Sequence, residues 1–162
     1  MRKASTEWQI VVLGGPNVLA LTKSIHDFDG LLRSWGRDLG VNVEHFQSNH
    51  EGKLLEYIHA SAATTHGYLV NPGGLARVGE SLRHALKDSK RPTVEVHLSN
   101  EQLNSLTIFS PSVTAIFSGM RQFSYQGALL ALTLALDDPD FLHPDGKGEF
   151  NRAHGAPRSL YT

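Results

Sequence analysis

The chain has 162 residues with a formal net charge of −1, carried by 15 basic and 16 acidic side chains, a length that fits one domain with a full hydrophobic core. The balanced and scattered charge excludes an electrostatic footprint for nucleic acid, and the absence of cysteine excludes disulfides and thiolate metal sites. No apolar run reaches membrane-spanning length and the polar residues 1–9 lack the apolar core of a signal peptide, so we expect a cytoplasmic protein without a membrane partner.

Strand-like and helical segments alternate along the chain. The predicted strands cover residues 8–13, 41–46, 67–70, 94–99 and 112–117, and the predicted helices cover residues 24–39, 50–63, 78–87 and 125–136. The first strand is a near-continuous apolar run, which is typical of a strand buried on both faces. The alternation predicts an α/β fold with a parallel sheet and helices on both faces. Five strands in a chain of this size favour the flavodoxin-like order 2-1-3-4-5.

The composition changes near residue 137. The segments Asp138-Pro139-Asp140 and His143-Pro144-Asp145-Gly146 break helices, and the remainder is polar. We therefore predict a single domain over residues 1–137. Residues 138–162 are predicted to form a polar C-terminal tail that is mobile or binds a partner.

Five residues lie at the carboxyl ends of the predicted strands, which share one edge of a parallel sheet. They are Asn17, Asn49, Asn71, His97 and Gly119. In the predicted order the first and third strands are neighbours and form the switch point at which α/β sheets bind ligands. We therefore expect Asn17 and Asn71 to flank a crevice.

Glu95 and His97 lie two residues apart in the fourth predicted strand, so both side chains project from the same face. A carboxylate beside an imidazole can fix its tautomer and favour its protonated form. By itself the segment is equally compatible with a structural ion pair. The remaining histidines show no ligand spacing, so no metal site is predicted.

Several short motifs together resemble type II 3-dehydroquinate dehydratase. They are Gly15-Pro16-Asn17, residues 47–52, Asn71-Pro72-Gly73, residues 94–100, Ser110-Pro111 and residues 119–132. The resemblance implies a flavodoxin-like fold, a homo-oligomer built from trimers and usually dodecameric, and no metal or cofactor. It also implies the trans elimination of water from 3-dehydroquinate, a small carboxylated carbocyclic acid, to give 3-dehydroshikimate in the shikimate or quinate pathway.

The resemblance also implies roles for individual residues. In the family a tyrosine is the base, activated by an arginine, and an asparagine positions a water near the enolate oxygen. A histidine protonates the leaving hydroxyl. Asn71 matches this asparagine and His97 matches the histidine, with Glu95 as its orienting carboxylate. These three residues are the catalytic candidates.

The substrate-binding candidates also follow from the resemblance. The backbone of Leu98 and Ser99 would hold the substrate carboxylate, and Asn17 would lie in the same crevice. Arg77 stands where the family usually has a substrate-binding histidine. It could pair with an anionic ligand, although a surface arginine at a helix start is an equally good interpretation.

The chain departs from the family pattern in the lid loop. Asn17 leads almost directly into the first predicted helix through residues 18–23, which contain neither arginine nor tyrosine. The tyrosines of the chain lie elsewhere, at Tyr57, Tyr68, Tyr125 and Tyr161. His84 replaces a family aspartate, and the loop after Asn100 is shorter and lacks the family's arginines. The groups missing from this chain are therefore the family's tyrosine base, the arginine that activates it and residues that bind the substrate.

Four interpretations follow. The first, which we favour, is a noncatalytic or impaired paralogue, a pseudoenzyme that keeps a pocket for a small carboxylated ligand. The base and its activating arginine act as a unit, so their contributions to the rate are not additive, and losing them should remove most of the activity. The second is a working dehydratase whose base comes from a neighbouring subunit or from Tyr161; Lys23 and His26 could also supply a base near the short loop, but residues at such positions are more often simply solvated. The third is a different lyase on a related acid with His97 as acid and base. The fourth is a structural or interaction oligomer.

Overall fold

The computed structural model describes residues 2, 5–100 and 107–142 and contains one five-stranded parallel sheet. Its strands are β1 (Gln9–Gly14), β2 (Asn42–Gln47), β3 (Gly67–Asn71), β4 (Thr93–His97) and β5 (Ala115–Ser118). The spatial order is β2-β1-β3-β4-β5, which confirms the predicted order. Because β1 is hydrogen-bonded to both β2 and β3 and covered on both faces, its apolar residues are buried without alternation.

Helices cover both faces of the sheet, as predicted. They are α1 (Val18–Thr22), α2 (Phe28–Leu39), α3 (Glu51–Ser61), α4 (Glu80–Asp88), α5 (Gln122–Leu136) and α6 (Pro139–Leu142). One buried cluster joins the sheet to α2 and α5 and includes Val12 and Leu69. A second cluster joins it to α3 and α4 and includes Val11 and Val70. Within the described ranges, no helix has the length and apolarity needed to cross a bilayer.

The connection after β1 differs from the prediction of one helix starting at residue 24. The chain forms the short helix α1, turns, and begins α2 four residues later than expected, at Phe28. Asp27 adopts a left-handed conformation with φ of 46°, and its side chain accepts a 3.1 Å hydrogen bond from Gly30 N. This cap chemistry starts a new helix even though the buried Ile25 continues the apolar periodicity.

The strand β5 also begins later than predicted, because Ser110–Ser112 form a short 3-10 turn before it. At the other boundary, α5 ends at Leu136 and α6 occupies the start of the predicted tail. Residues 143–162 lie outside the described residues, so a mobile or partner-binding tail stays a prediction.

Both ends of the described domain meet at Asp137. The Arg2 guanidinium donates to this carboxylate through Nε at 2.6 Å and Nη2 at 2.8 Å. The indole Nε1 of Trp8 donates to it at 2.7 Å. Arg2 also donates to the carbonyl of Gly40, which follows α2. The segment before β1 is therefore fastened to the C-terminal ends of α2 and α5.

Candidate functional site

The loops that follow β1 and β3 are locked together at the switch point. The amide of Gly15 donates a 2.8 Å hydrogen bond to the carbonyl of Asn71. A Cβ atom at Gly15 would lie 2.2 Å from the Pro72 carbonyl oxygen, and one at Gly73 would lie 2.2 Å from the Pro16 carbonyl oxygen. Gly73 also has a φ of 53°, which favours glycine. The two Gly/Pro motifs therefore form a backbone contact that larger residues would prevent.

An open cleft of about 560 Å³ lies beside this contact. Its lining residues are Pro16, Asn17, Ala20, Leu21, Gly73, Gly74, Ala76 and Arg77. Asn17 precedes the first turn of α1 with a φ of 69°, and its backbone N–H donates a 3.0 Å hydrogen bond to Asn49 Oδ1. Both Asn17 and Arg77 are exposed. Because Arg77 carries the positive charge of this lining, the cleft is suited to a ligand with an anionic group.

Asn71 ends β3, but its side chain is directed into the interior and does not line the cleft. Its Nδ2 donates a 3.0 Å hydrogen bond to the Tyr125 hydroxyl, and its Oδ1 accepts one of 3.1 Å from Gly73 N. Tyr125 belongs to the cluster under α2 and α5. Burial raises the pKa of the Tyr125 phenol above its ordinary value, so this hydroxyl stays neutral at physiological pH.

Glu95 and His97 form a buried pair on one face of β4, as the alternating pattern predicts. His97 Nε2 lies 2.7 Å from Glu95 Oε1, and both side chains are fully buried. The other oxygen, Glu95 Oε2, accepts a 2.9 Å hydrogen bond from the Thr107 hydroxyl. Sequence reasoning missed Thr107, because no local pattern connects it with a residue twelve positions earlier.

The structure brings Asn17 and Arg77 together but does not bring the side chains of Asn71 and His97 together. Glu95 pairs with Val70 across β3 and β4, and Val70 packs under α3 and α4. Asn71 follows Val70, so its side chain takes the opposite face of the sheet. The cleft and the buried acid–imidazole pair are therefore separate features of the strand ends.

Leu98 and Ser99 follow β4 and are half-buried. The carbonyl of Leu98 accepts a 2.9 Å hydrogen bond from Arg121 N at the start of α5. Nearby, the Ser118 hydroxyl donates to Asn100 Oδ1 at 2.6 Å and joins the ends of β4 and β5. Carboxylate binding by the backbone of Leu98 and Ser99 stays a prediction.

None of the three described tyrosines lines the cleft. Tyr57 stacks on Phe46 with ring centroids 4.2 Å apart, and burial raises the pKa of its phenol. Tyr68 is fully buried. Lys23 and His26 are exposed beyond α1 and do not line the cleft either. Among the residues that the structure covers, no three His, Asp or Glu side chains are grouped to hold a metal ion.

Comparison with known proteins supports one family. Residues 8–133 match the family model of Dehydroquinase class II. The chain is 34% identical over 143 residues to the 3-dehydroquinate dehydratase of Caldicellulosiruptor bescii, covering 80% of this chain and 99% of that protein.

Two solved structures are similar to this one. The type II dehydroquinase from Propionibacterium acnes has 30% identity and a TM-score of 0.70, covering 78% of this chain and 98% of that chain. A 3-dehydroquinate dehydratase-like protein from Bifidobacterium longum has 27% identity and a TM-score of 0.64, and the match covers 81% of this chain and 99% of that chain. Because the family model matches residues 8–133 and relatives of more than 30% identity cover most of the chain, the chain belongs to the class II dehydroquinase family.

Proposed function

We propose that this member of the family binds a small carboxylated carbocyclic acid at the strand ends but dehydrates 3-dehydroquinate slowly or not at all. One observation carries the proposal. The connection after Asn17 is the short helix α1, without tyrosine or arginine, and each described tyrosine lies away from the cleft. The agent that should remove the proton next to the ketone is therefore missing from the described residues.

The reaction needs a base, stabilisation of the enolate and an acid for the leaving hydroxyl. The Glu95–His97 pair is suited to the acid role, with the carboxylate orienting the imidazole. The Asn71 amide already bonds Tyr125 and Gly73. Loss of a positioned base typically costs about 10²–10⁴ in rate, so these remaining groups would support little turnover.

The binding half of the proposal rests on the charge and shape of the cleft. Arg77 is exposed in its wall and offers charge-assisted hydrogen bonds to a carboxylate. Asn17 offers a side-chain amide on the same surface. The expected backbone donors of Leu98 and Ser99 lie at the neighbouring end of β4.

A second candidate is an active dehydratase with a base from Tyr161 or from a neighbouring subunit. The 34% identity with the 3-dehydroquinate dehydratase of Caldicellulosiruptor bescii favours it. Both candidates include a homo-oligomer built from trimers, up to a dodecamer. Both also include a cytoplasmic location and a reaction without a metal or cofactor.

The decisive experiment is a direct assay of 3-dehydroquinate turnover, following the absorbance of the conjugated product, with the Caldicellulosiruptor bescii protein measured in parallel. We expect a rate at least about a thousandfold lower for this protein, within the range for loss of a general base. Calorimetry with quinate should nevertheless detect binding. Turnover at the relative's rate would overturn the proposal in favour of the second candidate, and Tyr161→Phe would then test the base.

A further inference from the structure

The carboxylate of Glu95 is held at both of its oxygens. Oε1 contacts His97 Nε2 at 2.7 Å, and Oε2 accepts the Thr107 hydroxyl at 2.9 Å. All three side chains are buried. The Thr107 hydroxyl also lies 3.2 Å from Ser110 Oγ, which can donate to it in turn. A chain of hydrogen bonds thus runs from the half-buried Ser110 to the imidazole of His97.

A carboxylate that is bonded through one oxygen can still rotate about its side-chain torsions. A donor on the second oxygen removes that freedom, because rotation would then break a hydrogen bond in a buried environment, where lost hydrogen bonds are costly. A fixed carboxylate in turn fixes which imidazole nitrogen carries the proton toward it and how the ring is oriented. In other proteins, carboxylates fix the tautomer and the ring orientation of metal-binding histidines in the same way.

We propose that Thr107 is a positioning residue, which holds Glu95 so that His97 keeps its proton at Nε2 toward Glu95 and directs Nδ1 away from it. The inference rests on the proposed function, in which the Glu95–His97 pair is the acid of the site. Thr107 acts through Glu95, and it need not touch the ligand.

The backbone around Thr107 is itself well anchored. Ile108 N donates a 3.0 Å hydrogen bond to the carbonyl of Ala76, a residue of the cleft wall. The next residue, Phe109, is fully buried under α3 and α4. Arg83 of α4 donates to Ser112 Oγ at 2.8 Å. One rigid segment therefore connects the wall of the cleft, through Ala76, with the carboxylate that orients His97.

The test compares Thr107→Val, which removes the hydroxyl with little change of shape, with Thr107→Ser, which keeps it. Thr133→Val is the matched control, since Thr133 is equally buried and its hydroxyl bonds the Leu129 carbonyl within α5. Nitrogen-15 NMR of the histidine rings reports the protonated nitrogen, and loss of the His97 signals in His97→Gln assigns them.

We expect Thr107→Val to change the His97 ring shifts and to reduce the proportion protonated at Nε2. Thr107→Ser and Thr133→Val should retain the signals of the unmodified protein. Unchanged His97 signals in Thr107→Val would overturn the inference. Thr107→Ala replaces Thr107→Val if the valine variant does not fold. The readout requires neither turnover nor ligand binding, so failure of the proposed function in the assay and calorimetry above remains a separate result.

Discussion

The side chains of Asn71 and His97 are directed to opposite faces of the sheet. Asn71 bonds the Tyr125 hydroxyl under α5, whereas His97 bonds Glu95 on the face covered by α3 and α4. The two residues that the family resemblance assigns to water positioning and proton donation thus do not meet in this structure. The buried Asn71 side chain does not line the cleft and would have to turn out of the interior before it could hold a water there.

The hydrogen bond between Asn71 and Tyr125 leads to the first prediction. Tyr125→Phe should lower the free energy of unfolding by about 1–3 kcal/mol, because it leaves a buried amide N–H without its acceptor. Urea denaturation measures the change. Tyr68→Phe is the control, since the buried Tyr68 hydroxyl has no hydrogen-bond partner within the described residues. Equal losses in the two variants would contradict the prediction.

The burial of Tyr125 also predicts an alkaline instability. Burial raises the pKa of its phenol, so the folded protein retains a proton that the unfolded chain releases above about pH 10. This contribution to stability is fully present below that pH and is lost as the pH rises further. The urea midpoint should fall less steeply above pH 10 in Tyr125→Phe than in the unmodified protein. An identical pH dependence in both proteins would refute the assignment.

The backbone contact at the switch point predicts strong effects of added methyl groups. Gly73→Ala places a Cβ atom 2.2 Å from the Pro16 carbonyl and forces alanine to a φ of 53°, a conformation that alone costs roughly 1–2 kcal/mol. Gly15→Ala meets the Pro72 carbonyl at the same distance. Both variants should melt well below the unmodified protein. Gly52→Ala, in α3 with nothing within 4 Å of the new atom, should melt at the same temperature or higher.

The cleft predicts a role for Arg77 in ligand affinity. Arg77→Ala should weaken quinate binding about tenfold, since a hydrogen bond to a charged group contributes roughly 1.5–3 kcal/mol and the exposed position favours the lower value. Calorimetry provides the dissociation constant. Arg33→Ala removes an exposed arginine from α2 that does not line the cleft, and its affinity should not change. If Arg77→Ala bound quinate as tightly as Arg33→Ala, a ligand carboxylate at Arg77 would be ruled out.

The contact between Arg2 and Asp137 predicts an acid-dependent loss of stability. The Arg2 guanidinium holds the pKa of the Asp137 carboxyl below its ordinary value. The stabilisation is therefore complete above about pH 4, the unfolded value, and is lost as the pH falls through the lower folded value. Asp137→Asn should reduce the acid-induced fall of the urea midpoint. Asp38→Asn, at an exposed position of α2, should leave it unchanged.

Part of the site could be read from local sequence because local geometry determines it. The two-residue spacing of Glu95 and His97 sets both side chains on one face of any strand, and the structure pairs them at 2.7 Å. The same alternation gives Asn71 the opposite face from Val70, yet its partner could not be predicted. Tyr125 lies 54 residues away, and their contact depends on how α5 packs on β3.

The sequence by itself determined the order of the strands, the helices on both faces and the polar residues at the strand ends, because hydrophobic periodicity and the handedness of βαβ units act over neighbouring residues. Only the tertiary structure decided that the connection after Asn17 forms α1, that Arg77 faces the cleft, and that Thr107 holds Glu95. These features arise from contacts between segments far apart in the chain. Their geometry is set by the packing of whole helices against the sheet, which no local pattern records.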